Sequence, residues 1–128
     1  MRRLLIDTHV FLWWLADDPQ LGPKARELIA NAGNQVFVSA ATAWEISIKK
    51  SIGKLDAPDD LDAIAEEEGF EKLPISFFHG EHAGELPQHH RDPFDRMLVA
   101  QSQAEGLEII TADSAIANYA VKTISALT

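Results

Sequence analysis

The sequence predicts an α/β domain in which helices cover both faces of a central, mostly parallel sheet of about five strands. Three observations carry that expectation. Short apolar runs recur along the chain, and each is followed by a longer stretch with helical spacing. The runs are continuously apolar rather than alternating, as strands buried on both faces are. The 128 residues carry no repeat, low-complexity tract or linker, so a single domain over 1–128 is expected.

The elements follow in order. Arg3 to Ile6 reads as a first strand that ends at Asp7, and His9 to Leu15 as a helix stopped by Asp17-Asp18-Pro19. Pro23 opens a second helix, which Gly33 ends. Val36 to Val38 is a second strand, and Ser39 caps a helix from Ala40 to about Ile52. Asp59 or Asp60 opens an acidic helix. Lys72 to Ile75 is a third strand, and Ser76 caps a helix through about Leu86. After a polar loop at Pro87 to Arg91, Asp92-Pro93 starts a helix that runs to Glu105 and stops at Gly106. Glu108 to Thr111 is a fourth strand, Asp113 or Ser114 caps a short helix, and Ala120 to Ile124 is a fifth strand.

Composition narrows the chemistry. The chain has no cysteine, which excludes disulfide scaffolds, thiol nucleophiles and thiolate zinc sites and permits a reducing compartment. The N-terminal apolar stretch is too short for a signal-peptide core, and Val10 to Ala16 is far short of a membrane span. A cytoplasmic location is expected.

In a parallel sheet, helices leave strands at the carboxyl edge, and α/β sheets place their ligands there. Asp7 closes the first strand at that edge, and Asp113 lies two residues past the fourth. Glu45 lies in the helix leaving the second strand, and Asp95 in the first turn of the helix entering the fourth. Four carboxylates from distant parts of the chain therefore converge. Such a group needs a compensating positive charge. Oxygen-only ligation suits Mg²⁺ or Mn²⁺, which activates water and supports metal-assisted phosphodiester hydrolysis. Each acid also has a local reading: Asp7 and Asp113 as helix caps, Glu45 as the i,i+4 partner of Lys49. Asp92 is cap chemistry that would aim Asp95.

The motifs Leu4-Leu5-Ile6-Asp7-Thr8-His9, Ser39-Ala40-Ala41-Thr42-Ala43-Trp44-Glu45-Ile46, His90-Arg91-Asp92-Pro93-Phe94-Asp95-Arg96 and Ile110-Thr111-Ala112-Asp113 resemble those of PIN domains. The likeness is greatest to VapC-type toxins of bacterial and archaeal toxin–antitoxin pairs, and it spans essentially the whole chain in order. It implies a three-layer α/β/α fold and a Mg²⁺- or Mn²⁺-dependent endoribonuclease that leaves 5′-phosphate and 3′-hydroxyl ends. It further implies a homodimer and inhibition by a cognate antitoxin. The family acids fall on Asp7, Glu45, Asp95 and Asp113, with Thr111, Asp92 and Thr8 in supporting positions. Two rivals fit less well. A phosphoacceptor receiver domain expects paired acids after the first strand, where Thr8-His9 stand; a non-cleaving RNA-binding module would not need the complete acid set.

Other features are set against blander readings. His79 and His82 have a zinc-compatible spacing, yet with His89 and His90 they sit in a polar region and are expected to be exposed. The unbroken run Val10 to Leu15 exceeds the stripe a helix needs on a sheet, so a homodimer or antitoxin partner is expected to cover part of it. The net charge of −9 argues against a simple basic nucleic-acid surface. Eight of the 20 acids, however, fall between Asp56 and Glu71, where there is no base. Lys49, Lys50, Lys54, Arg91 and Arg96 lie in or near the motif segments, and Lys49, Lys50, Arg91 and Arg96 are the expected contacts to RNA phosphates.

Overall fold

The computed structural model describes residues 1–128. Five strands, β1 (Arg3–Ile6), β2 (Gln35–Ser39), β3 (Glu71–Leu73), β4 (Glu108–Thr111) and β5 (Thr123–Ser125), form one sheet in the order β3-β2-β1-β4-β5, and every pairing is parallel. Six helices accompany them: α1 (Thr8–Ala16), α2 (Pro23–Ala30), α3 (Ala40–Ser51), α4 (Leu61–Glu67), α5 (Phe77–Glu85) and α6 (Pro93–Glu105). The expected α/β class is the observed one.

The pleat sends successive side chains to opposite faces, and two cores result. Leu4, Ile6, Val36, Val38 and Ile110 pack with Val10, Phe11, Ala25, Ile29 and Ile46. Leu5 and Ile109 face the other way, against Leu86, Leu98, Val99, Ala100, Ile116 and Tyr119. Helices α1, α2 and α4 thus cover one face, α5 and α6 the other, in three layers.

Local chemistry sets the helix starts. The carboxylate of Asp7 accepts the Val10 amide and caps α1. Ser39 caps α3 through the Ala41 amide, and Asp92 caps α6 through the amides of Phe94 and Asp95, with Pro93 at the first helical position. Gly106, at φ 67°, ends α6 in the left-handed conformation. Gly22 opens α2 where a Cβ would come within 2.4 Å of the Thr128 carbonyl oxygen, so only glycine lets the last residues dock there.

Two strands are displaced from their expected bounds. β3 is Glu71–Leu73 rather than Lys72 to Ile75, because Pro74 has no amide with which to continue the ladder. β5 is Thr123–Ser125 rather than Ala120 to Ile124, because Tyr119 and Val121 close a turn after the short 3-10 helix at Ile116–Asn118.

The apolar run on α1 needs less outside cover than its sequence suggests. Val10 and Phe11 are fully buried, and Leu12 to Leu15 are half-buried against the first core. Leu55, Ala57 and Leu61 of the segment leading into α4 pack on that core, and Trp14 donates its indole N–H to Glu68. The exposed large apolar side chains lie elsewhere: Phe77 is 93% exposed, Phe78 61% and Trp44 60%. No helix is long and apolar enough to cross a membrane.

Candidate metal centre

The site forms where β1, β4 and the start of α6 meet. Asp7 follows β1 directly and is almost wholly buried. One of its oxygens caps α1; the other accepts the Thr111 hydroxyl at 2.5 Å. That hydroxyl also accepts the Asp113 amide at 2.9 Å. Thr111 therefore fixes two acids at once, and Asp113 completes its own turn by accepting the Ala115 amide.

Asp95 is aimed at the same place by the first turn of α6. Its neighbour across the gap is His90. The His90 Nε2 lies 2.8 Å from Asp113 Oδ2 and 3.0 Å from Asp95 Oδ2, and the three ligand atoms lie within 4.8 Å of one another.

The electrostatics fit a cation site. Burial, reinforced by the charge of Asp92 and further by Asp7 and Asp113, pushes Asp95 up to about 7. Burial also raises Asp7, against the hydrogen bonds from Thr111 and Val10. For Asp113 burial acts upward, but its hydrogen bonds with His90 and the Ala115 amide leave it below the ordinary value. For His90 burial acts downward, yet the Asp113 hydrogen bond and the surrounding carboxylates leave it raised. The close group is thus two carboxylates and one imidazole, with the buried Asp7 outside it but tied to Asp113 through Thr111; hard oxygen donors of this kind suit a divalent ion.

Glu45 stands beside this group. It is buried, with Oε1 accepting the Thr8 hydroxyl at 2.6 Å and Oε2 paired with Lys49 Nζ at 2.6 Å. Thr8 also meets Thr42 at 3.1 Å. Lys49 is held above its ordinary pKa chiefly by Glu45, and it feels the charges of Asp92 and Asp95. Thr8, adjacent to Asp7, and Lys49 thus link Glu45 to the cluster.

The expected RNA-facing cations divide. Arg91 is exposed and forms no ion pair. Lys50 is spent on Asp59 and the Pro58 carbonyl, bracing the loop before α4. Arg96 is not on the surface at all. Its guanidinium is buried and donates to the carbonyls of Ala83, Leu86 and Pro87 and to the Tyr119 hydroxyl. It braces the loop between α5 and α6, because a buried guanidinium must find acceptors and this loop's free carbonyls supply them.

His89 is exposed as expected, but His79, His82 and His90 are not. His79 is buried, accepting the Ser76 amide in a capping box and meeting Glu105 at 2.9 Å; His82 bonds Gln103 at 2.6 Å. Each ring is drawn to α6 rather than to the other, so the pair forms no zinc site. His90 was hidden among the loop histidines. Its place two residues before the α6 cap was the signal that could have found it.

A family model for the PIN domain matches residues 4–122. No curated protein matches the chain. Among solved structures, VapBC2 from Rickettsia felis, bound to a DNA fragment from its promoter, aligns with a TM-score of 0.69 at 14% identity, over 95% of this chain and 97% of that one. DNA-bound VapBC from Salmonella typhimurium gives 0.69 at 17%, over 97% and 98%. A toxin–antitoxin complex from Klebsiella pneumoniae gives 0.67 at 19%, over 95% and 96%. At such identities the likeness is one of fold.

Proposed function

The chain belongs to the PIN-domain family, and from that premise we propose that it is a metal-dependent endoribonuclease of the VapC toxin type, restrained by a cognate antitoxin. One observation carries the reading: Asp95 and Asp113 come together with His90 at the carboxyl edge of the sheet, the buried Asp7 is tied to the Asp113 turn through the Thr111 hydroxyl, and burial and neighbouring carboxylates push Asp95 up to about 7. Asp7, Asp95 and Asp113 would hold Mg²⁺ or Mn²⁺, with Glu45 completing the acid set. Such an ion supplies a water of lowered pKa and offsets the charge that develops on the phosphate oxygens.

The chain's own groups do the positioning. Thr111 orients Asp7 and Asp113, Asp92 fixes the turn that presents Asp95, and Thr8 with Lys49 orients Glu45. Arg91, exposed and next to His90 in the chain, would meet a backbone phosphate. Water adds to phosphorus, the bond from phosphorus to the 3′-oxygen breaks, and that oxygen leaves with a proton. The products carry a 5′-phosphate and a 3′-hydroxyl.

The structural neighbours named above are toxin–antitoxin complexes, which supports an antitoxin partner for this chain too. For the homodimer, the exposed Phe77 and Phe78 at the start of α5 are better candidates than α1. The exposed Trp44 also lines an apolar hollow of about 250 Å³ with Ile75, Ala83, Phe94 and Met97, which a ring of a second copy would fill in a two-fold contact. A toxin that cleaves RNA and is restrained by an antitoxin would act in the cytoplasm.

The test is incubation of the purified protein with transfer and ribosomal RNA in Mg²⁺ or in EDTA, followed by end analysis. Cleavage confined to the Mg²⁺ samples and leaving 5′-phosphate ends supports the reading; no cleavage of any RNA in either cation counts against it.

A further inference from the structure

We propose that the His90 side chain is an internal stand-in for the cation: its Nε2–H fills the gap between Asp95 and Asp113, and ring and ion exclude one another there. This rests on the reading of the acid cluster as a divalent-cation site and adds a built-in competitor to it.

The geometry is specific. Nε2 is 2.8 Å from one carboxylate oxygen and 3.0 Å from the other. An ion held by the same two oxygens at roughly 2.0–2.1 Å would lie in the same gap.

The opposite side of the ring settles which nitrogen carries the proton. The Asp92 amide donates to His90 Nδ1 at 3.2 Å, so Nδ1 offers its lone pair and Nε2 bears the hydrogen. Coordination through Nε2 would move that hydrogen to Nδ1, where it would meet the Asp92 N–H head on. In this orientation the ring donates to the acids and does not ligate. A neutral imidazole suffices, so the device needs no change of charge.

The backbone has anchors of its own, separate from those of the ring. The His90 amide donates to the Tyr119 hydroxyl at 2.9 Å, and its carbonyl faces Arg96. The side chain is about one-fifth exposed, so rotation about its own bonds can carry the ring outward without moving the loop. With the ring in, Asp95 and Asp113 are held in place and their repulsion is eased. With the ring out, both are free for an ion. His90 thereby sets the cation concentration at which the site fills.

The test is Mn²⁺ binding by calorimetry to the wild-type chain and to His90→Ala at one pH, together with nitrogen-detected NMR of the wild-type imidazoles during Mg²⁺ titration. Loss of a hydrogen bond to charged groups should tighten Mn²⁺ binding by His90→Ala about tenfold. Saturating Mg²⁺ should shift the His90 ring nitrogens and the Asp92 amide together. Equal or weaker Mn²⁺ binding by the variant overturns the proposal, and so do ring nitrogens that Mg²⁺ leaves unmoved, a readout independent of how the variant folds. Binding by neither protein overturns the cation site itself, and this proposal with it. Binding by wild type that the substitution leaves unchanged overturns the proposal alone.

Discussion

Thr111 donates its hydroxyl proton to Asp7 across 104 residues of chain and accepts the Asp113 amide on the same oxygen. One side chain at the end of β4 thus sets the distance between two acids that the sequence keeps far apart.

Thr111→Val should therefore weaken the site as well as the fold. The isosteric change leaves the buried Asp7 oxygen and the Asp113 amide each short of a partner, at a cost of about 1–3 kcal/mol. Calorimetric Mn²⁺ affinity should fall several-fold, and Thr111→Ser should restore it. Unchanged affinity in a folded Val variant would remove the positioning role.

Asp95 should make stability depend on pH and on divalent cations. Its carboxyl sits at about 7 in the fold against roughly 3.9 in an unfolded chain. Between those values the folded state binds the extra proton, so stability falls as pH rises. Raised Asp7 acts in the same direction, and so does His90, whose contribution is lost as pH rises through its folded value. Asp113, held low, contributes stability that is lost only on acidification. In EDTA, Tm should decline from pH 5 to pH 7.5, and Mg²⁺ should raise it more at the upper end. A Tm in EDTA that climbs over this window would contradict the assignment.

Arg96→Ala should act on stability. Four backbone carbonyls, of Ala83, Leu86, Pro87 and His90, and the Tyr119 hydroxyl lose their donor. A loss on the order of 3 kcal/mol in urea unfolding is expected. A stable variant with weakened RNA binding would instead return Arg96 to the RNA surface.

Phe77 and Phe78 should govern self-association. In size-exclusion chromatography with light scattering the wild type should run as a dimer and a Phe77→Ser, Phe78→Ser double variant as a monomer. A wild-type monomer at micromolar concentration would exclude the homodimer, and a dimeric variant would move the interface elsewhere.

The architecture was legible because its signals are local. Pro23, Ser39, Asp92-Pro93 and Gly106 mark helix ends by backbone chemistry that tertiary context did not override, and the apolar runs mark buried strands. Placing Asp7, Asp95 and Asp113 required only the rule that helices leave a parallel sheet at its carboxyl edge. What stayed hidden depended on side-chain partners far apart in sequence. Arg96 and Arg91 look alike in a motif, and only the carbonyls released by the turn after α5 decide that one is buried. His90 differs from His89 by one position, yet the first reaches two acids and the second packs edge-on against Tyr119. The α1 apolar run looked excessive because the segment around Leu55 to Leu61 that covers it has no regular pattern of its own.

The most direct measurement compares wild type with Asp7→Asn on one RNA substrate, with and without divalent cation, after circular dichroism shows both to be folded. Wild type should cleave only with Mg²⁺ or Mn²⁺, leaving 5′-phosphate ends, and Asp7→Asn should be inactive in every condition. Cleavage that persists in EDTA, or that survives in Asp7→Asn, would place the chemistry outside this cluster.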